Sequence, residues 1–444
     1  MKKTLAWQNK KVAVLGLGLE GRDVVDCLLP QRAEISVYDL DPKIKKVAGV
    51  KFFLGEKYLD KGLTGYDYVF RSPAFKPSLP EIRAAEEAGV VVTSATKLFF
   101  ETCPGKIIGV TGTKGKGTTA TLIYEILKAA GKQVYLAGNV GLPVLSLLPK
   151  LDLTSWVVLE LSSFQLMDME KSPAVAVVLF ITSEHLDYHT STEEYVQAKA
   201  HLVRYQGIND WAVLNLDNAA SASFACLTPA KKVFFSRRRL TNGAYVGEGD
   251  FFYQQESLGK TGDLLLRGQH NWENVAAAIT TAKIAGVSTQ TIKDVVFSFK
   301  GLEHRLELAA EKEGVSFYND SFSTTPETTI AAVRSFKEAV ILIAGGSDKG
   351  SDYGELGKEI AQSSVRALIL VGLMAEKIQK AVLEAGFRGK ILFRPLSLRQ
   401  AVAWAKKEAR EHEVVLLSPA CASFDQFKNY KDRGEQFKKY VQAL

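Results

Sequence analysis

The run Gly109-Val110-Thr111-Gly112-Thr113-Lys114-Gly115-Lys116-Gly117-Thr118-Thr119 limits what this chain can fold into more than any other stretch. An apolar strand, Lys106 to Val110, leads into it, and a helical stretch, Ala120 to Ala130, leaves it. A loop in that position turns its backbone N–H groups toward anionic oxygens. The glycines permit the turn, and Lys116 adds a cation for phosphate. The bland alternative is a Gly-rich turn that happens to hold a lysine. Gly117 stands where such loops ordinarily offer a metal ion a hydroxyl, so Thr118 or water takes that place.

Strands and helices alternate on either side of this loop. Lys11 to Leu15, Glu34 to Tyr38, Tyr66 to Phe70 and Val90 to Val92 read as strands in the first segment, with a helix from Leu79 to Ala88. Ala339 to Ala344, Ala367 to Val371, Ile391 to Phe393 and Val414 to Leu417 repeat the pattern near the other end. Such alternation predicts doubly wound parallel sheets, and 444 residues exceed one ordinary core. Breaks at Thr102-Cys103-Pro104-Gly105 and Lys300-Gly301 divide the chain into three α/β domains: 1–103 Rossmann-like, 104–301 a P-loop ATPase-like centre, and 302–444 a doubly wound C-terminal domain.

Composition excludes other classes. With 46% hydrophobic and 24% charged residues the chain reads as a soluble globular protein. It has no apolar run long enough to cross a membrane, and its first residues lack an apolar signal core, so a cytoplasmic protein is expected. The four cysteines are scattered, which argues against a disulfide framework or zinc site. The net charge of +7 is not gathered into a basic block. No nucleic-acid partner is expected, and the surplus suits an anionic small molecule equally well.

Three further features carry chemistry. Gly16-Leu17-Gly18-Leu19-Glu20-Gly21 follows the first strand, and Asp39 ends the second. Taken alone this fits NAD, any pyrophosphate-bearing ligand, or a purely structural turn. Val157-Val158-Leu159-Glu160 ends a strand in a carboxylate, and Ala174 to Ile181 runs into Thr182-Ser183-Glu184-His185. Acidic and imidazole groups there would suit Mg²⁺ held against ATP phosphates, although Glu160 also reads as a solvated strand end and His185 as a structural histidine. Finally, Ser191-Thr192-Glu193-Glu194 resembles a capping box. On the helix it opens, Tyr195, Ala198, Lys199 and Leu202 share one otherwise apolar face. That face points Lys199 inward, either as a functional amine or as a snorkelling lysine.

Together these motifs resemble the muramyl ligases over nearly the whole chain. Gly112 to Thr119 resembles their ATP loop. Gly268-Gln269-His270-Asn271-Trp272-Glu273-Asn274 resembles a segment near their nucleotide, and Glu303-His304-Arg305 and Asn319-Asp320-Ser321 resemble segments that complete the ATP site. Ser418-Pro419-Ala420-Cys421-Ala422-Ser423-Phe424-Asp425-Gln426-Phe427-Lys428-Asn429-Tyr430, with Arg433-Gly434 after it, is similar to the members that add D-glutamate.

The resemblance implies a monomeric, ATP-dependent, amide-forming ligase acting on UDP-N-acetylmuramoyl-L-alanine and D-glutamate through an acyl phosphate. It assigns Gly112, Thr113, Lys114, Gly115, Lys116, Gly117, Thr118, Asn271, Arg305 and Asp320 to ATP. Two Mg²⁺ ions fall to Thr118, Glu160, His185 and a carbamylated Lys199, with Lys116, His185 and Lys199 catalytic. UDP falls to Gly18, Leu19 and Asp39, and the muramoyl portion to Asn139, Ser162 and Gln165. Thr324, Lys349 and Ser423 would take the carboxylates of D-glutamate, with Tyr430 beside the substrate. The sequence departs from the family pattern at Gly117, at Phe322 in place of a lysine, at Glu20 in the pyrophosphate turn, at Asp41 where an arginine is often found, and at Tyr430 in place of a phenylalanine. The rival readings are a sister muramyl or folate polyglutamate ligase, an NAD-dependent oxidoreductase built on Gly16 to Gly21, and a non-catalytic nucleotide-binding protein.

Overall fold

Apolar runs of four to seven residues become the inner strands of parallel sheets, because helices cover both faces of each strand. β1 (Lys11–Leu15), β2 (Glu34–Asp39), β3 (Lys51–Leu54), β4 (Tyr68–Arg71) and β5 (Val91–Thr93) pair in the order β3-β2-β1-β4-β5, all parallel. A second parallel sheet follows: β6 (Lys106–Thr111), β7 (Val134–Gly138), β8 (Trp156–Glu160), β9 (Val175–Val178), β10 (Trp211–Asn215) and β11 (Lys231–Phe235). Its order is β11-β10-β9-β6-β8-β7. The phosphate loop therefore leaves the middle of this sheet, flanked by the ends of β8 and β9. The computed structural model describes residues 7–185, 188–348 and 350–444.

These two sheets belong to one unit, which runs to Gly262 and takes back Trp272–Val296. A continuous apolar core joins them, from Trp7, Val12 and Phe99 to Leu159, Leu202 and Phe224. Buried polar bridges add to it. The Asp23 carboxylate, on helix α1 (Leu19–Leu28), accepts from the N–H groups of Leu145 (2.7 Å) and Ser146 (3.0 Å). Arg71, its side chain 1% exposed, donates to Asp168 (2.6 Å) and to the Phe75 carbonyl (2.7 Å). The same unit carries an antiparallel meander, β12 (Ala244–Gly247), β13 (Asp250–Tyr253) and β14 (Glu256–Lys260).

The second unit comprises Asp263–Asn271 and the chain from Phe297 onward. Its sheet contains β15 (Glu307–Lys312), β16 (Val315–Asn319), β17 (Val340–Gly345), β18 (Val365–Val371), β19 (Lys390–Phe393) and β20 (Val414–Leu417). The order is β15-β16-β20-β17-β18-β19, parallel except for the edge pair β15–β16. The α/β class and the doubly wound sheets match the expectation. Several details differ: the helix after the phosphate loop begins at Lys116 rather than Ala120, and the strand expected at Ala174 to Ile181 spans only Val175–Val178. The strand expected at Tyr66 to Phe70 begins at Tyr68 and is fourth rather than third, because the half-exposed edge strand β3 precedes it. The antiparallel meander and the polar edge strand β15 add strands the alternation did not announce.

Candidate active site

In the first sheet the strand order reverses between β1 and β4, and a crevice opens outside the carboxyl ends of strands at such a point. There a cleft of about 710 Å³ is lined by Gly16, Gly18, Asp39, Ser72, Phe75 and Lys76 among others. Gly16 has a φ of +82°, and a Cβ on Gly21 would fall 1.9 Å from the Gly16 carbonyl oxygen. Only glycines allow α1 to sit this close to the turn. Asp39 shapes it from the next strand, accepting from the N–H of Leu17 (2.8 Å) and of Asp41 (2.9 Å). Leu19 is exposed on the first turn of α1.

The phosphate loop is fixed from beneath. Gly115 takes a φ of +84° just before the long helix Lys116–Ala129, and a Cβ there would meet the Asn274 amide oxygen at 2.1 Å. The Thr113 N–H donates to the Phe180 carbonyl (2.8 Å), and its hydroxyl bonds the Thr182 carbonyl (3.1 Å) and the Tyr195 hydroxyl (3.0 Å). Lys116 bends back over the loop and donates to the carbonyls of Gly112 (3.1 Å) and Thr113 (3.0 Å). Lys114 instead pairs with Glu184. Gly117 and Thr118 are buried in the first turn of the helix.

Lys199 lies in the helix Thr192–Arg204, which Ser191 caps by accepting from the Glu194 N–H (3.2 Å). Its side chain is buried as the helical face predicts. The ammonium sits 4.5 Å from the Tyr195 ring centroid and donates to the Gly112 carbonyl (2.9 Å), the same oxygen that Lys116 uses. Burial, and then the charge of Lys116, hold the Lys199 amine well below the usual lysine range, against the opposing pull of Glu184 and Glu160. Glu160, at the end of β8, is buried. His185 has a φ of +60°, and its half-exposed ring lies 4.9 Å from Phe164 and 6.4 Å from Tyr195. Lys116 and Lys199 thus meet at one loop carbonyl, with Glu160 close enough to act on the Lys199 charge and His185 beside the Tyr195 ring.

The expected muramoyl contacts are neighbours of this group. Asn139 is exposed in a turn between Gly138 (φ +95°) and Gly141 (φ +90°), and its N–H donates to the Glu160 carbonyl (3.2 Å). Ser162 caps the short helix Ser163–Leu166, and Gln165 returns the bond by accepting from the Ser162 N–H (2.8 Å). The Gln165 amide then donates to Glu20 (2.6 Å). His189 was not anticipated. Its buried ring bonds the Ser163 hydroxyl (2.9 Å) and stacks on Phe164, fastening the His185 loop to the Ser162 corner. Asn274, quoted in a motif without a role, supports the phosphate loop at Gly115 and Thr119.

In the second unit two of the expected residues, Asp320 and Ser423, follow the carboxyl ends of β16 and β20. Asp320 follows β16, is buried, and accepts from the Ser418 hydroxyl (2.7 Å) and the Leu306 N–H (3.2 Å). Burial pushes its carboxyl up to about 6 despite the hydrogen bonds of Ser323 and Ser418. The Arg305 guanidinium lies 3.7 Å from the Phe322 ring centroid, so the departure at Phe322 gives Arg305 an aromatic face where a lysine would repel it. Tyr430 meets the same ring edge-on at 5.1 Å. Asn271 donates to the Arg267 carbonyl (2.7 Å). Half-buried Thr324 precedes the helix Pro326–Val333, and Ser423 is buried after β20. Arg433, for which the motif alone suggests no role, is buried and donates to Ser321 Oγ (2.9 Å), the Ser321 carbonyl (2.9 Å) and the Cys421 carbonyl (3.1 Å). It ties the Ser321 turn to the segment that holds Ser423. Lys349 lies outside the described residues.

Among the described residues the one cluster of three His or carboxylate groups placed to share an ion is Glu303, His304 and Glu435. Lys438 lies 3.7 Å from Glu303 and 2.8 Å from Glu435, and His304 Nδ1 accepts from the Asn319 amide, so the cluster is an ion-pair network.

The Mur ligase middle domain matches residues 110–282, and the Mur ligase glutamate ligase domain matches residues 304–421. This chain belongs to the Mur ligase family, whose members are ATP-dependent, amide-forming ligases. Over its length it is similar to the UDP-N-acetylmuramoylalanine–D-glutamate ligase of Acetivibrio thermocellus, at 44% identity across 98% of this chain and 97% of that one. The ligase of the same name from Symbiobacterium thermophilum is 38% identical across 98% of each. Among solved structures, a UDP-N-acetylmuramate-alanine ligase from Thermotoga maritima shares the fold with a TM-score of 0.61 at 16% identity, covering 98% of this chain and 100% of that one. A MurF ligase from the same organism does so at 0.59 and 19% identity, covering 99% and 96%. Among the described residues no helix is long and apolar enough to cross a membrane.

Proposed function

We propose that this chain joins D-glutamate to UDP-N-acetylmuramoyl-L-alanine at the expense of ATP, a step of peptidoglycan precursor synthesis. The observation that carries the reading is identity of 44%, over nearly the full length of both chains, to a ligase named for those substrates. The reading assigns the sugar nucleotide to residues 1–103, ATP to 104–301 and the amino acid to 302–444.

The donor set fits Mg²⁺ on one condition. Glu160 and the Thr118 hydroxyl are hard oxygen donors of the kind Mg²⁺ prefers, and His185 adds a ring nitrogen. An ammonium at Lys199 is not a ligand, but a carbamate is. Its depressed amine is the form that adds CO₂, giving an anionic oxygen donor and releasing a proton. With Thr118, Glu160, His185 and carbamylated Lys199 as ligands, the metal would neutralise charge on the ATP phosphates. Lys116 leaves the loop carbonyls for the β/γ-phosphates. The L-alanyl carboxylate, held near Asn139 and Ser162, attacks the γ-phosphorus, and ADP departs with the bridging electron pair. The deprotonated amine of D-glutamate, its carboxylates held by Thr324, Lys349 and Ser423, then attacks the acyl phosphate. Inorganic phosphate leaves, and the amine gives up a proton as the amide forms.

With ATP and UDP-N-acetylmuramoyl-L-alanine present, D-glutamate is expected to stimulate phosphate release, whereas L-glutamate, L-lysine and diaminopimelate are not. Separate anion sites for a dicarboxylate are the ground for this. Phosphate assays across the four amino acids check it, and equal stimulation by a basic amino acid would sink the assignment.

A further inference from the structure

Glu20 is the one acidic side chain in the first turn of α1, directly after Gly18 and Leu19. Free carboxylates stabilise a helix N-terminus, yet this one is not free. One oxygen accepts from the Gln165 amide at 2.6 Å, and the other is enclosed with no hydrogen-bond partner among the described residues. Through Gln165, Glu20 reaches the reciprocal capping pair with Ser162. The side chain thus connects the turn assigned to UDP with the corner assigned to the muramoyl group, two sites 145 residues apart in sequence.

The charges around it are accounted for. Asp23, one turn further along α1, spends both oxygens on Leu145 and Ser146. Arg71, from β4, directs its guanidinium to Asp168 and the Phe75 carbonyl. Gln165 is the contact from the helix Ser163–Leu166. None of these supplies Glu20 with a hydrogen-bonded cation. Burial pushes its carboxyl up to about 6, against the smaller opposing effects of the Gln165 bond and Arg71.

We propose that the sugar nucleotide binds together with a proton, taken up by Glu20 as the pyrophosphate settles on the Gly16–Gly21 turn. This inference rests on the reading of that turn as the UDP site. A pyrophosphate diester is a permanent dianion at neutral pH. Placed against the backbone next to Glu20, it disfavours a second negative charge there. Neutral Glu20 still accepts from Gln165, so the muramoyl corner keeps its shape while the repulsion disappears. The raised carboxyl is half protonated near pH 6 in the free protein, and the ligand raises it further. Above about pH 6 each molecule bound must therefore bring a proton, and affinity falls by about tenfold per pH unit until the bound-state value is reached. The ligand's diphosphate and L-alanyl carboxylate do not titrate in that window.

Calorimetric titration of the full chain with UDP-N-acetylmuramoyl-L-alanine, at pH 7 in buffers of different ionisation enthalpy, reads the protons taken up. The wild type is expected to gain a large part of one proton. Glu20→Gln, which keeps the acceptor for Gln165, is expected to bind without uptake and with a Kd that stays flat from pH 6 to 8. Equal uptake by Glu20→Gln would place the titrating group elsewhere, for instance at His185 or His189, and overturn the inference. Tight wild-type binding with no uptake would overturn it as well, while leaving the UDP site intact. No binding by either protein would overturn the substrate reading, and this inference with it.

Discussion

Lys116→Ala is expected to abolish ADP formation, with a loss of at least about 10²–10³-fold, the scale on which removing one preorganised charge from a transition state acts. In the structure the Lys116 ammonium rests on the Gly112 and Thr113 carbonyls, so it already lies over the loop that a β/γ-phosphate would occupy. The other loop cation cannot readily replace it, because Lys114 is mostly exposed and paired with Glu184. ADP release by the purified variant, at saturating substrates, measures the effect. Turnover near the wild-type rate would mean that Lys114 abandons Glu184 and does the work, and the assignment of Lys116 would fail.

Stripping CO₂ and bicarbonate from the assay is expected to lower activity by about 10–100-fold, the range seen when a metal site loses part of its support, and restoring bicarbonate should bring it back. The reason lies in the surroundings of Lys199. Burying an unpaired ammonium costs on the order of several kcal/mol, and here a second ammonium, that of Lys116, shares the Gly112 carbonyl to which Lys199 donates. Both effects favour the neutral amine. Addition of CO₂ would relieve the repulsion and yield an anion beside Lys116 that could serve a metal ion as an oxygen ligand, held on a helix whose Tyr195 and Leu202 are fully packed. Under [¹³C]bicarbonate the wild type should show a carbamate resonance that Lys199→Ala lacks. Full activity without CO₂, and no such resonance, would leave Lys199 as a buried amine with a purely structural role.

Much of this was legible in the sequence because it depends on local pattern. Continuous apolar runs gave most inner strands within a residue or two, though the run Ala174 to Ile181 forms a strand only over Val175–Val178, and the i, i+3, i+4, i+7 face announced the burial of Lys199. The phosphate loop was readable because its glycines answer to backbone geometry: a Cβ at Gly115 would collide with Asn274. What escaped notice depends on partners distant in sequence or on weak local pattern. The edge strands β3 and β15 are half exposed and carry charged residues, and the meander's short strands turn on Gly249, Gln254 and Gln255 with positive φ, with no apolar run. Nothing near Glu20 hints at Gln165, nothing near His189 hints at Ser163, and nothing near Arg433 hints at Ser321. Phe322 reads in the sequence as a loss of charge, whereas in the structure the Arg305 guanidinium lies over its ring.

Acyl-phosphate chemistry requires that an oxygen of the L-alanyl carboxylate pass to the phosphate that leaves when D-glutamate attacks. This transfer is tested most directly with UDP-N-acetylmuramoyl-L-alanine carrying ¹⁸O in that carboxylate, incubated with ATP, Mg²⁺ and D-glutamate and followed by mass spectrometry. One labelled oxygen is expected in the released inorganic phosphate, with ADP unlabelled and a product heavier by one glutamyl residue that keeps the other labelled oxygen. Unlabelled phosphate, or label appearing in AMP, would contradict that transfer.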